Sequence, residues 1–548
     1  MPFVTSHIRY PEIVFGIAGP IGIDIEAIIR TLQDTLTAVG YSSGVVRVTD
    51  AIKNLKSSAE RPSVSSFYNE TRYKMLHASA LCREIGDPAF LMRVALTKIR
   101  EERQRLLTLP EGPVNADDAE ESVISTIVPT DEVPFFQFDN ADDAALRSAF
   151  IIRQIKRPEE VNFLRYVYGA QFVLISGYGT EPDRQRILRD KIKYSEIADV
   201  KEAREIYLAN KLMELDASED QDSFGQHLRD AFHLADVVID GISRTQMRSD
   251  IERFINALFG LNEVAPTRAE YGMFSAYSAA LRSSDLSRQV GAALFTNEGE
   301  LVASGCNEVP KAFGGTYWDG ESPDNRDIKL GKDSNDILKI DVLKDLITRM
   351  KKNGLLSDKV IKAGSPSRIV NFLIGREKGP NEFDALKGAL KNAKILDLTE
   401  YGRVVHAEMN TILEAARLGH AVNRTTLFTT TFPCHNCTKH VIASGIREVV
   451  FLEPYPKSKA KELHENEVEI EGEAREKVVF RYFSGITPAR YEDVFRKSKR
   501  KKDGAAVRWQ HGGPAPMMYV KTPSYMQLEE LLKWSEGDEE EAEVSDSK

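Results

Sequence analysis

Continuous apolar runs and helically spaced stretches alternate from the start of the chain. "EIVFGIAG" is a short apolar run that ends in glycines. "IDIEAIIRTLQDTLTAVG" carries its apolar positions at helical spacing and stops at Gly40, and "SGVVRVTD" then has the look of a second strand. Strand, glycine turn, helix and strand predict an α/β unit on a parallel sheet. A stretch rich in Pro, Asp and Glu over 110–135 is expected to be a surface connection or insertion. The rhythm resumes with "LRSAFIIRQI" and "RPEEVNFLRYVYGAQFVLISGYG", and "FHLADVVID" supplies another buried strand. Near residue 260 the pattern changes, where "GLNEVAPTRAEYG" leads into a new helix.

The second half opens with a helix, "RAEYGMFSAYSAALRSS", and a hairpin in which "QVGAALFT" and "ELVASGCNE" flank the turn "NEGE". From Pro310 to about Thr399 the chain is polar and Gly-rich, with one predicted helix around "IDVLKDLITRMKK"; so long an interruption is expected to be a functional insertion or lid. Next come a helix at "VVHAEMNTI", a strand at "TTLFTTTF", a helix within "TTFPCHNCTKHVIASGI", and strands at "IREVVFLEP" and "KVVFRYF". The expected organisation is therefore a first domain over 1–260, a second over 261–490 with an insertion at about 310–399, and an extension over 491–548. There are no internal repeats.

Composition narrows the picture. A chain of 548 residues exceeds a single core, and 42% hydrophobic with 28% charged residues is ordinary for a soluble globular protein. The net charge of −10 argues against a general nucleic-acid binder. The basic run Arg496 to Lys502 is expected to be a solvated linker and the acidic stretch "EGDEEEAEVSD" a disordered tail. There is no charged start followed by a long apolar stretch, and no run of about 18 apolar residues. Four cysteines in so long a chain build no disulfide framework. The expectation is a cytoplasmic protein whose clustered cysteines are free for metal.

The chemistry concentrates in two stretches. Zinc favours nitrogen and sulfur donors in a tetrahedron, and a catalytic site takes three from the protein. His406, Cys434 and Cys437 supply such a set. Pro433 suits a first helical position, which would place both cysteines in a helix's first turn, where the partial positive charge favours thiolates. The metal would acidify its bound water toward neutrality. Glu408, two residues past His406, is then no ligand but a proton carrier, from water to a ring nitrogen and on to a leaving amine. His-x-Glu followed by Pro-Cys-x-x-Cys is the signature of zinc deaminases. A closed structural zinc site is the competing reading. It needs a fourth ligand, and His435, His440 and Cys306 are less naturally placed for that.

Asn307 ends the second hairpin strand, where its amide could hold a sugar hydroxyl or simply serve a turn. Arg282, Arg288, Lys311, Lys457 and Lys459 cluster around this half-site in sequence and are candidate phosphate ligands.

"SRQVGAALFTNEGELVASGCNEVP", "HAEMNTILEAA", "TTTFPCHNCTKHVIASGI" and "EPYPKSKA" resemble the deoxycytidylate deaminase family. The whole chain resembles, more closely, the bacterial anti-phage dCTP deaminases, which join an N-terminal P-loop kinase-like domain to such a deaminase. "FGIAGPIG", "RPEEVNFLRYVYG", "DAFHLADVVIDG", "LRSSDLSRQVGA", "GGTYW" and "FSGITPARY" carry that likeness. The resemblance implies an α/β protein with an N-terminal P-loop kinase-like parallel sheet and a C-terminal cytidine-deaminase-like α/β/α domain. It implies zinc-dependent conversion of dCTP to dUTP, and of dCMP to dUMP, draining the deoxycytidine nucleotide pool in antiviral defence. It further implies that Asn307 contacts deoxyribose, that His406, Cys434 and Cys437 hold zinc, and that Glu408 shuttles protons. Related enzymes are commonly oligomeric, so a homo-oligomer is expected.

A working P-loop reads G-x-x-x-x-G-K-[ST]. This chain reads "GIAGPIGIDIE", with Gly16, Gly19 and Gly22 able to form an anion-cradling turn but Ile23 and Asp24 where the lysine and hydroxyl belong. Kinase chemistry is not expected. The domain is either a site for an NTP or other regulatory ligand or a scaffold that kept only the fold. Arg153, Lys156 and Arg157 are candidates to line its cleft. Two other functions share these features: a deaminase acting on tRNA or single-stranded DNA, which needs a basic channel with stacking aromatics, and a nucleotide-sensing regulatory protein without turnover.

Overall fold

The computed structural model describes residues 8–108, 146–195, 202–217, 228–362, 364–376, 387–455, 457–472, 476–518, 520 and 525–534. The 110–135 connection and the acidic tail lie outside the described residues. The chain divides into two compact units, Met1–Phe274 together with Tyr482–Lys548, and Ser275–Arg481. Both are mixed α/β.

The first unit is built on five parallel strands in the order β2-β3-β1-β4-β5, with β1 Ile13–Ala18, β2 Ser42–Val46, β3 Ser148–Ile155, β4 Phe172–Tyr178 and β5 Val237–Asp240. β1 is central and all six of its residues are buried, which is why it reads as an unbroken apolar run. The helix Ile25–Ala38 buries Ile25, Ile28, Ile29, Leu32 and Leu36 on one stripe, and Asp24 caps it by accepting from Ala27 N at 3.1 Å.

The second unit holds a six-stranded sheet in the order β10-β11-β9-β8-β6-β7. Its strands are β6 Gly291–Phe295, β7 Leu301–Cys306, β8 Thr426–Thr431, β9 Glu448–Glu453, β10 Val468–Ile470 and β11 Val478–Tyr482. β6 and β7 form the expected antiparallel hairpin, β6 runs antiparallel to β8, and β8 runs parallel to β9. Gly291 is required for packing. A Cβ there would lie 2.0 Å from Ala276 O and 2.4 Å from Ala280 N, so the helix Arg268–Ala280 rests directly on β6.

The segment from Pro310 to Thr399 is no bare loop. Beyond the expected helix, Ser334–Lys352, it contains the helix Pro366–Leu373, and the two share a small apolar cluster of Leu343, Ile347, Ile369, Val370, Phe372 and Leu373.

Two boundary expectations are corrected. The first unit runs past residue 260, because Glu270 is fully buried and chelates Arg253 at 2.6 and 2.7 Å, which holds residues up to 274 to it. The region from 482 onward is not an appended extension. Strand β12, Gly485–Ile486, adds antiparallel to β5, and Arg490 is buried against Asp236 and Phe172 O. Val494 joins the main core. Glu529 makes a buried bidentate pair with Arg103 at 2.7 and 2.8 Å. The basic run is likewise docked in part. The Lys497 ammonium donates to the carbonyls of Leu261, Asn262 and Val264, and Lys501–Lys502 pairs with Ala505–Ala506 in a hairpin.

Candidate active site

The helix Ala407–Arg417 begins at His406, its N-cap, whose ring makes no capping hydrogen bond. The preceding residue, Val405, exchanges backbone bonds with Glu308 at 3.1 and 3.2 Å, which ties the helix entry to the segment leaving β7. Inside the helix, Asn410 Nδ2 donates to Cys306 O at 2.9 Å and Thr411 Oγ1 donates to Ala292 O at 3.2 Å. These buried polar bonds fix the helix on β6 and β7. Gly305 permits the approach, since a Cβ there would sit 3.0 Å from Thr411 N.

β8 delivers the cysteines from its carboxyl end. Phe432 N donates to Glu453 O at 2.7 Å, and Pro433 O accepts from Ser458 Oγ at 2.8 Å. The next helix is His435–Ala443, with Cys434 as N-cap, its sulfur accepting from Cys437 N at 3.4 Å. Pro433 is therefore not the first helical residue, and Cys434 is not inside the helix. Cys434 keeps an extended backbone (φ −67°, ψ 163°) because its own sulfur does the capping, so the helix starts two residues later than the proline suggests.

His406 Nδ1 lies 3.4 Å from the sulfur of Cys434 and 3.4 Å from that of Cys437, and the three donor atoms all lie within 4.8 Å of one another. Tetrahedral zinc, with Zn–S about 2.3 Å and Zn–N about 2.0 Å, places nitrogen and sulfur about 3.5 Å apart. The donor set fits the metal. Among the described residues no other His, Cys, Asp or Glu joins it, so the closed four-ligand arrangement lacks its fourth donor. His440 is exposed, and Cys306, though buried, stands outside the set. Glu408 is 4% exposed, with Oε2 3.3 Å from Cys437 Sγ, beside the donors but not one of them.

The groups share protons as a bare metal site does. The Cys437 thiol, then the His406 ring, stabilise the Cys434 thiolate and bring its pKa down to about 4 against the cost of burial. The hydrogen bond to Cys434 pushes His406 up to about 9. The hydrogen bond that the Cys437 thiol donates to Cys434, with burial, holds Cys437 well above the usual thiol range. Burial, then the nearby Cys434, raises Glu408. A doubly charged cation replaces such protons readily.

The candidate substrate ligands are all engaged. Asn307 Oδ1 accepts from Val290 N at 2.8 Å and its Nδ2 donates to Arg288 O at 2.7 Å. Arg288 pairs with Glu453 at 2.5 Å and touches Thr431 Oγ1 at 3.3 Å. Lys311 pairs with Glu321, Lys457 with Asp397 and Lys459 with Glu462. Arg282 lies over the Trp318 ring at 3.6 Å and donates to Thr316 and Tyr317, so it shapes that loop. Sequence reasoning missed Asn410, Thr411 and Glu453. The first two left a signal, a polar pair on the buried side of an amphipathic helix; Glu453 left none.

In the first unit, Gly16 sits within β1, not in the turn. A Cβ there would meet Ile155 at 2.3 Å, so it is a packing glycine. Gly19 and Gly22 do lie in the turn before the Ile25–Ala38 helix. Arg153, Lys156 and Arg157 do line the adjoining cavity of about 360 Å³, and each is matched by a carboxylate: Glu26, Asp216 and Glu160.

Residues 266–453 match the family described as the cytidine and deoxycytidylate deaminase zinc-binding region. Deoxycytidylate deaminase of Enterobacteria phage T2 is 44% identical over 55 residues, 10% of this chain and 29% of that protein. Mouse deoxycytidylate deaminase is 25% identical over 183 residues, 33% of this chain and 63% of its own length. The crystal structure of dCMP deaminase from cyanophage S-TIM5 in complex with dCMP and dUMP aligns with 40% of this chain and 98% of that one, at 15% identity and a TM-score of 0.21. The chain thus spans less than two thirds of the length of these curated relatives. The His406, Cys434 and Cys437 group, which could hold a zinc ion, lies within this region.

Proposed function

We propose that the Ser275–Arg481 unit is a zinc-dependent hydrolytic deaminase of deoxycytidine nucleotides, converting dCTP to dUTP and dCMP to dUMP with release of ammonia. One observation carries the reading: a buried carboxyl, Glu408, stands beside a three-donor zinc set that has no fourth protein donor among the described residues. Family similarity over residues 266–453 supports it.

His406, Cys434 and Cys437 hold the metal. When bound, zinc supplies the Lewis acidity that makes water a nucleophile near neutral pH. Glu408 performs the proton transfers. Its burial raises its affinity for a proton, so as the carboxylate it can take one from water, and as the resulting acid it can deliver it to the cytosine ring nitrogen and then assist departure of the amino group as ammonia. Asn307 contacts the deoxyribose with the amide hydrogen and lone pair left over from its two backbone bonds. Arg288 is the best-supported phosphate ligand, since it reaches Thr431, three residues before Cys434. Lys311 and Lys457 are further phosphate ligands, each held by a carboxylate.

Among the described residues no helix is long and apolar enough to cross a membrane. The chain's likeness to anti-phage dCTP deaminases supports depletion of the dCTP pool in cytoplasmic defence, by a homo-oligomer whose P-loop-like first unit performs no kinase chemistry. The test is a panel of dCTP, dCMP and a cytosine-containing oligonucleotide, incubated with purified full chain and resolved by chromatography. Uracil forms from the free nucleotides if the reading holds. Reaction of the oligonucleotide alone overturns it.

A further inference from the structure

The turn between β1 and the Ile25–Ala38 helix has the strand–loop–helix form that commonly receives a phosphate. It already holds an anion. Asp216, near the end of the helix Glu202–Ala217, is 1% exposed. Its Oδ2 accepts from Ile21 N at 2.6 Å, and its Oδ1 accepts from Lys156 Nζ at 2.5 Å. The same ammonium donates to Gly19 O at 2.9 Å, so carboxylate and lysine together close the turn.

A second helix supplies independent evidence. Gly22 has φ +102°, and a Cβ on it would lie 2.7 to 2.9 Å from Arg184 Cβ, Cα and O. The helix Glu181–Ser195 therefore fills the space in front of this glycine. The Ile21 side chain packs on the apolar cluster shared by the two helices, Leu188, Ile192, Leu208, Ala209 and Met213. At the helix start, Asp24 and Glu26 add two further carboxylates, paired with Arg244 and with Arg47 and Arg153.

We propose that the Gly19–Asp24 turn is a self-liganded anion site, in which the Asp216 carboxylate stands where a ligand phosphate would and Lys156 stands where the phosphate-binding cation would. The two-helix layer covers the Gly22 side of the turn, and although the turn also borders the cavity of about 360 Å³, its Ile21 amide and Lys156 are already taken by Asp216. The turn accordingly takes no external phosphate, and its lysine, which the sequence lacks after Gly22, arrives instead from the end of β3.

The test is thermal unfolding of the full chain at constant ionic strength, titrated with acetate or inorganic phosphate. Asp216→Ala melts several degrees below the parent, and either anion restores it saturably, by occupying the vacated place beside Lys156. The parent gains nothing from acetate, and its response to phosphate is no larger than that of Lys156→Met/Asp216→Asn, which keeps the volume and removes both charges. Should Asp216→Ala fail to fold unaided, refolding in acetate replaces the titration; recovery supports the proposal and failure to recover overturns it. A parent protein that rises saturably with acetate, or with phosphate by more than the double variant does, a folded Asp216→Ala that gains no more than the parent from either anion, or a double variant that matches Asp216→Ala in its response would each overturn it.

Discussion

Cys434 Sγ and His406 Nδ1 stand 3.4 Å apart, and each residue is the N-cap of its own helix. Two helix starts thus meet at one point. Both bring partial positive charge to a place where two sulfurs must become thiolates, and that charge favours the ionised form.

Zinc loading should release about two protons at pH 7. Without metal, His406 (about 9) and Cys437 (well above the thiol range) still hold their protons at that pH, whereas Cys434 (about 4) has lost its own. Zinc requires a neutral imidazole and two thiolates. Affinity therefore rises with pH through neutrality and levels once both groups have ionised. Calorimetry of zinc binding in buffers of different ionisation enthalpy measures the count; no proton release would contradict this account of the donor set.

Removing the side chain that locks the histidine helix should loosen the metal as well as the fold. Asn410→Ala leaves the buried Cys306 carbonyl without its amide donor, at a cost of about 1–3 kcal/mol. The denaturation midpoint falls, and zinc affinity falls with it because His406 begins the same helix.

Gly291→Ala places a methyl group 2.0 Å from Ala276 O, a contact that forces the helix Arg268–Ala280 off β6. Overpacking of this kind costs about 1–3 kcal/mol. A chemical-denaturation curve of the second unit reads it, and an unchanged midpoint would contradict the close approach.

Arg288→Ala should raise KM for dCTP and dCMP about 10- to 100-fold, the worth of a charged hydrogen bond, with kcat little changed. Deoxycytidine, which has no phosphate, serves as the control and should be unaffected. Equal losses on all three would assign Arg288 to bracing the site through Glu453 instead.

The sequence made some of this legible and hid the rest for physical reasons. β8, β9 and the β6–β7 hairpin are apolar runs bounded by turn residues, so local pattern suffices for them. The three candidate zinc donors are legible because such a metal dictates residue type and spacing. The start of the cysteine helix was misplaced by two residues because a sulfur, an uncommon cap, replaced the usual oxygen. The return of the chain to the first unit was invisible, since it depends on pairs such as Arg103–Glu529 and Arg490–Asp236 that no local pattern announces. Asp216 was hidden likewise, its partners Ile21 and Lys156 lying in other elements. The candidate phosphate cations were recognised as cations, but their matching carboxylates became visible only in three dimensions.

The most direct test of the central claim is to measure bound zinc and uracil-nucleotide formation in the same preparations of the parent chain and Glu408→Ala. The account expects one zinc per chain in both, ammonia and uracil nucleotide in equal amounts from the parent, and turnover lower by about 10²-fold or more in the variant. Stoichiometric zinc with no turnover in the parent, or undiminished turnover in Glu408→Ala, would contradict it.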